Sequence, residues 1–188
     1  MRPHSPRPLL GSALSSRVAQ WTQRSILKSV QAGTVTLTSA TSATATITAV
    51  DVNNSVLVFD GYTYANADTD TNAIMCQIAL TNSTTVTASR GAAPNGATVL
   101  VPFTVIEYVP GIIKSVQRGT ANVGATTITT VNVAKAFVSW LGWSTDSTAW
   151  DGRWLPKLVL TDATTVTISR GGSPGDTPSI GYQVTEYF

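Results

Sequence analysis

The chain writes one passage twice, as LTNSTTVTASRG at residues 80–91 and as LTDATTVTISRG at residues 160–171. Its neighbours recur in the same order. KSVQAGT at 28–34 returns as KSVQRGT at 114–120, VLVFDGY at 56–62 aligns with FVSWLGW at 137–143, and FTVIEY at 103–108 aligns with YQVTEY at 182–187. Short insertions between the motifs shift the spacing slightly while the motifs stay in register, as expected of a tandem duplication of one folding unit. The chain is therefore predicted to comprise an arm at 1–25, a first β-domain at 26–110 and a second at 111–188, with Pro110-Gly111 as the linker. Each unit, roughly 80 residues long, can enclose a small core.

Alternation of apolar and polar residues predicts the strands of the first unit at about 28–37, 44–50, 55–64, 73–80, 84–90 and 98–108, and the second unit repeats the plan. Clusters of Gly, Asn, Asp and Pro, such as RGAAPNGA at 90–97 and RGGSPGDTPS at 170–179, mark the turns. A short helix is suggested only at 12–23. Short strands broken by frequent turns define an all-β chain of two tandem homologous antiparallel β-sandwich or small-barrel domains, preceded by a mostly irregular N-terminal arm.

Charged residues make up 12% of the chain, about half the usual share. With so much Thr, Ala and Ser, that composition points to a surface covered by neighbours or built for durable assembly. The arm carries Arg2, Arg7, Arg17 and Arg24 and no acid, so the net charge of +2 originates there. These arginines are candidates for docking the arm onto a partner. Without interleaved aromatics they are a weak nucleic-acid signal. The arm resembles a signal peptide only loosely, because Gly11 and Ser12 break its apolar run. No stretch approaches the roughly 18 apolar residues of a membrane span.

The chain's two glutamates, Glu107 and Glu186, occupy the same repeat position. Val86, Ala88 and Arg90 share one strand face, as do Val166, Ile168 and Arg170; Phe103, Val105 and Glu107 share another, as do Tyr182, Val184 and Glu186. The expectation is one ion pair at the edge of each core, Arg90 with Glu107 and Arg170 with Glu186. One acid per unit does not provide the paired carboxylates of a glycosidase.

Other chemistry is sparse. The single histidine, His4, lies in the arm, so no Ser-His-Asp triad or histidine metal site can be built. The single cysteine, Cys76, cannot form an intrachain disulfide and is expected as a small buried side chain in the strand AIMCQIAL. DTDTN at 68–72 begins like a calcium loop, but Ala73 stands where the turn glycine belongs and Ala79 where the bidentate glutamate belongs. No catalytic residue, cofactor or metal is expected.

The copies differ most around WLGWSTDSTAWDGRW at 140–154, which holds four of the five tryptophans. Trp140 aligns with Phe59 and is expected in the core. Trp143, Trp150, Arg153 and Trp154 flank a polar loop and are candidate contacts for a partner protein or a glycan, since Trp and Arg are favoured at interface hot spots.

Taken in order, IKSVQ with its following glycine, the Thr/Ala-rich strands, LTxxTTVTxSRG and the closing EY resemble small β-domains encoded in the structural modules of tailed bacteriophages. The resemblance spans residues 26–188 and excludes the arm. It implies a non-enzymatic virion structural protein of the tail, collar or capsid surface, a capsid decoration for example. Such a protein would assemble as a symmetric homo-oligomer in the host cytoplasm and contact other virion proteins. The rival expectation is a receptor- or glycan-binding module at a tail or fibre tip that uses the tryptophan-rich loop on a host-surface glycan.

Overall fold

The computed structural model describes residues 25–64, 70–93, 98–148, 155–171 and 177–188. The arm, with Arg2, Arg7, Arg17, Arg24 and the expected helix, lies outside the described residues, as do Trp150, Arg153 and Trp154.

The described chain is all-β with antiparallel sheets. The first half contains β1 (Leu27–Thr38), β2 (Ser42–Thr46), β3 (Ser55–Phe59), β4 (Thr63–Tyr64), a one-turn helix α1 (Thr71–Ile74), β5 (Cys76–Asn82), β6 (Thr85–Arg90) and β7 (Thr98–Tyr108). The second contains β8 (Ile113–Ala121), β9 (Gly124–Thr127), β10 (Ala136–Ser144), β11 (Lys157–Asp162), β12 (Thr165–Ser169) and β13 (Ser179–Tyr187). A 3-10 turn precedes β3 at Val52–Asn54 and β10 at Val133–Lys135, each capped by its preceding side chain, Asp51 or Asn132.

Strand pairing follows one plan in both halves. β7 lies between β1 and β3, and β6 lies between β2 and β5. Likewise β13 lies between β8 and β10, and β12 lies between β9 and β11. Val35, Leu37, Leu57, Ile78, Val86, Val101 and Phe103, drawn from both strand groups, form the first core. Ile128, Trp143, Val166, Ile168, Ile180 and Val184 form the second. Burial alternates strictly along β6 and β7, placing Val86, Ala88 and Arg90 inside, as well as Phe103, Val105 and Glu107.

One feature departs from separate modules on a linker. β10 pairs with β5 at Gly142 and Gln77, so a six-stranded sheet, β2-β6-β5-β10-β13-β8, runs across both halves. The device is a bulge. The β10–β13 register shifts between Trp140 and Trp143, and Gly142 adopts φ 84°, a region that glycine enters readily because it has no Cβ. A Cβ there would lie 2.2 Å from the Cys76 carbonyl oxygen. Leu141, beside the bulge, enters the first core.

Candidate functional site

The repeated motifs converge on two equivalent clusters, and each repeated residue has a structural task. In KSVQ, the lysine and serine hold a glutamate. Lys28 Nζ lies 2.8 Å from Glu107 Oε1, Ser29 Oγ donates to Oε2 at 3.1 Å, and the Asp51 N–H donates to Oε1 at 2.8 Å. Lys114, Ser115 and the Asn132 N–H bind Glu186 in the same way, at 2.8, 3.2 and 2.9 Å. The glutamine of the motif grips the backbone of a neighbouring segment at both ends of its amide. Gln31 pairs with the N–H and carbonyl of Thr48, and Gln117 with those of Thr129. The following glycine makes room for a cross-strand ring, since a Cβ on Gly33 would meet Phe103 and one on Gly119 would meet Tyr182.

The second motif is equally occupied. Asn82 and Asp162 accept the backbone N–H of Thr84 and Thr164 and so close the β5–β6 and β11–β12 turns. Thr81 bonds Thr87 across the hairpin, and Thr161 bonds Thr167. Arg90 is buried, with its guanidinium donating to the carbonyls of Ala40 at 2.8 Å and Ala73 at 2.9 Å.

These contacts correct the expected ion pairs. Glu107 pairs with Lys28 rather than Arg90, and Glu186 pairs with Lys114 rather than Arg170. The reason is topological: Arg90 is on β6 and Glu107 on β7, and those strands belong to different sheets. The lysines sit beside the glutamates instead because β1 is hydrogen-bonded to β7 and β8 to β13. Burial drives the Glu107 carboxyl upward, but its Lys28, Asp51 and Ser29 donors outweigh burial and leave its pKa below the ordinary value. For Glu186 the Lys114 ammonium is the largest influence, followed by the Asn132 N–H, and its pKa is also lowered. Each carboxylate is an ionised acceptor in a closed set of donors.

The tryptophan expectations are also revised. Trp143 is buried in the second core and Trp140 is partly exposed, the reverse of the expected assignment. The bulge at Gly142 sets which face each ring occupies. Trp140 packs edge-on against its counterpart Phe59, with ring centroids 5.5 Å apart. As a buried ring, Trp143 is removed from the candidate glycan contacts. Cys76 is buried as expected, and burial pushes its thiol up to about 12.

Sequence reasoning missed Arg118, although a signal was present: it is the one residue by which KSVQRGT differs from KSVQAGT. Arg118 Nε donates to Gln183 Oε1 at 2.8 Å, and its terminal nitrogens reach the carbonyls of Val52, at 3.0 Å, and Ser55. Gln183, fully buried, also accepts the Leu57 N–H at 3.1 Å. β3 is the edge strand of its sheet, and Arg118 and Gln183 satisfy backbone groups along that edge. Burial lowers the Arg118 pKa to about 10. Farther along the same seam Ser179 bonds Gln77, the Thr71 and Asn72 N–H groups donate to Thr148 and Ser147, and a cavity of about 300 Å3 opens between Ile78, Leu80, Arg118 and Leu141.

Among the described residues no group of three or more His, Cys, Asp or Glu is placed to hold a metal ion, and no helix is long and apolar enough to cross a membrane. Only Asp70, Thr71 and Asn72 of DTDTN are described; Thr71 and Asn72 begin α1. Comparison of the chain with protein-family models, curated proteins and solved structures found no match.

Proposed function

We propose that the chain is a tandem duplication of one sandwich-like β-domain and serves as a non-enzymatic structural component of a bacteriophage virion. In this reading it assembles as a symmetric oligomer and docks on a neighbouring virion protein through the arm bearing Arg2, Arg7, Arg17 and Arg24. The observation that carries the reading is the use made of the repeated residues. Lys28, Ser29, Gln31, Gly33, Thr81, Asn82 and Glu107, with their counterparts in the second half, hold strands and turns together. A module whose repeated residues are all structural fasteners is built for rigidity. The resemblance to phage structural β-domains supplies the setting, and the low charge suits a surface shared with neighbours.

Quantitative mass spectrometry of purified particles from cells producing this chain tests the reading. It predicts the chain in the particle at a fixed multiple of a symmetric copy number. Its absence from intact particles, or its presence only as a sub-stoichiometric contaminant, would contradict it.

A further inference from the structure

The seam inside the chain has a one-way geometry. The first half contributes edges: β3 with its preceding 3-10 turn, and β5 at Gln77. The second half contributes a face, carrying Arg118, Gln183 and Ser179, together with the Gly142 bulge. Edge meets face, and the two partners are different parts of the repeated unit. Each half therefore retains the surface that its counterpart uses and that it does not.

Those spare surfaces can be named by following the repeats. The second half keeps the β10 edge, where Val133, Ala136 and Val138 stand in place of Val52, Ser55 and Leu57, and the β11 edge, where Lys157 stands in place of Gln77. β11 ends its sheet, with β12 on one side and no further strand among the described residues. The first half keeps the β1–β7 face, where Ala32, Thr104 and Leu100 stand in place of Arg118, Gln183 and Ser179. The spare surfaces also hold most of the exposed large apolar side chains: Val133 and Phe137 on the edge, Ile26, Val30 and Leu100 on the face.

Gly61 points the same way by a separate route. It has φ 97°, close to the 84° of its counterpart Gly142. A Cβ on Gly142 would strike β5, whereas none of the described atoms lies within 4 Å of where a Cβ on Gly61 would be. The first half thus carries the bulge that joins β10 to β5, with no strand against it.

We propose that a second copy of this chain docks head to tail, setting its β1–β7 face and Gly61 bulge against the β10 and β11 edges of the first copy and repeating the internal seam between molecules. The proposal rests on the duplication and oligomeric assembly put forward above and adds which surfaces meet. Such a contact is heterologous, so successive copies close into a ring when the rotation per copy permits. It also covers an otherwise open strand edge, a known liability for uncontrolled pairing. With Ala32 where the internal seam has Arg118, the intermolecular seam lacks that cation and is the more apolar of the two.

The test uses the full chain with Val30→Asp on the face and Val133→Asp on the edge. Both positions are exposed, and far-UV circular dichroism and thermal unfolding verify that each variant folds. Light scattering coupled to size exclusion reads the mass. The expected result is an assembled wild type, a monomer of 19.7 kDa for each variant, and a heterodimer of twice that mass when the two are mixed, because each variant keeps one intact surface. An assembled wild type that neither substitution disturbs, or two monomeric variants that do not pair, would overturn the proposed seam and leave assembly itself standing. A wild type that stays monomeric at high micromolar concentration would overturn both.

Discussion

Gly61 and Gly142 form an internal control for the seam between the halves. They occupy the same place in the repeat, with φ 97° and 84°, and differ in what lies beside them. Replacing either with alanine imposes a left-handed conformation on a residue with a Cβ, at a cost of about 1–2 kcal/mol. At Gly142 the new Cβ would also lie 2.2 Å from the Cys76 carbonyl oxygen and 2.8 Å from Gln77 Cα, both backbone atoms that cannot swing aside. β10 must then withdraw from β5, drawing the buried Leu141 out of the first core. Loss of that packing adds about 2–4 kcal/mol, the range of partial loss of a core leucine. For a chain of this length each kcal/mol shifts Tm by about 2–4 °C, so Gly142→Ala should melt about 4–16 °C below Gly61→Ala. Scanning calorimetry on both variants, at a dilution where each is monomeric, measures the gap. Equal losses would refute the claim that the β5–β10 junction contributes to stability.

Three further outcomes follow from the same geometry. Arg118→Met keeps the aliphatic stem but strips the Val52, Ser55 and Gln183 acceptors, and should cost about 2–4 kcal/mol in chemical denaturation, while Ala32→Met at the exposed counterpart should stay within about 0.5 kcal/mol; equal effects would deny Arg118 its bridging role. Because the pKa values of Glu107 and Glu186 are lowered in the fold, their contribution is complete above the ordinary glutamate value of about 4.3 and is lost as pH falls through the folded values. The double variant Glu107→Gln/Glu186→Gln should therefore be less stable than wild type at pH 7, with the difference shrinking in acid, as followed by urea unfolding across pH; a difference independent of pH would refute the ionised clasps. The Cys76 thiol, buried and with its pKa raised to about 12, should resist a thiol-directed reagent at pH 8 in the folded chain and react promptly in denaturant; fast labelling of the folded chain would contradict its burial.

Much of the strand plan was readable from the sequence. Alternation placed β7 and β6 closely, and it put Val86, Ala88 and Arg90 on the interior face that they occupy. It failed where the neighbour of a strand, rather than its own period, decides the outcome. Alternation says which residues share a face but not which strands pair, so it could not tell that Glu107 would meet Lys28 of β1 instead of Arg90 of β6. The expected strand at 73–80 begins at Cys76, because Thr71–Ile74 forms a helical turn against residues 145–148 from the other half. Trp140 and Trp143 were placed on the wrong faces because a bulge interrupts the two-residue period between them. The seam was written in one letter, Ala32 against Arg118, whose meaning depends on β3 being an edge strand.

A reconstruction of the particle by electron cryomicroscopy tests the central claim most directly. The account predicts density for this chain repeated about a rotational axis, with the β10 and β11 edges of each copy against the β1–β7 face of the next. Copies that touch through other surfaces would contradict the seam, and particles complete without the chain would contradict its role as building material.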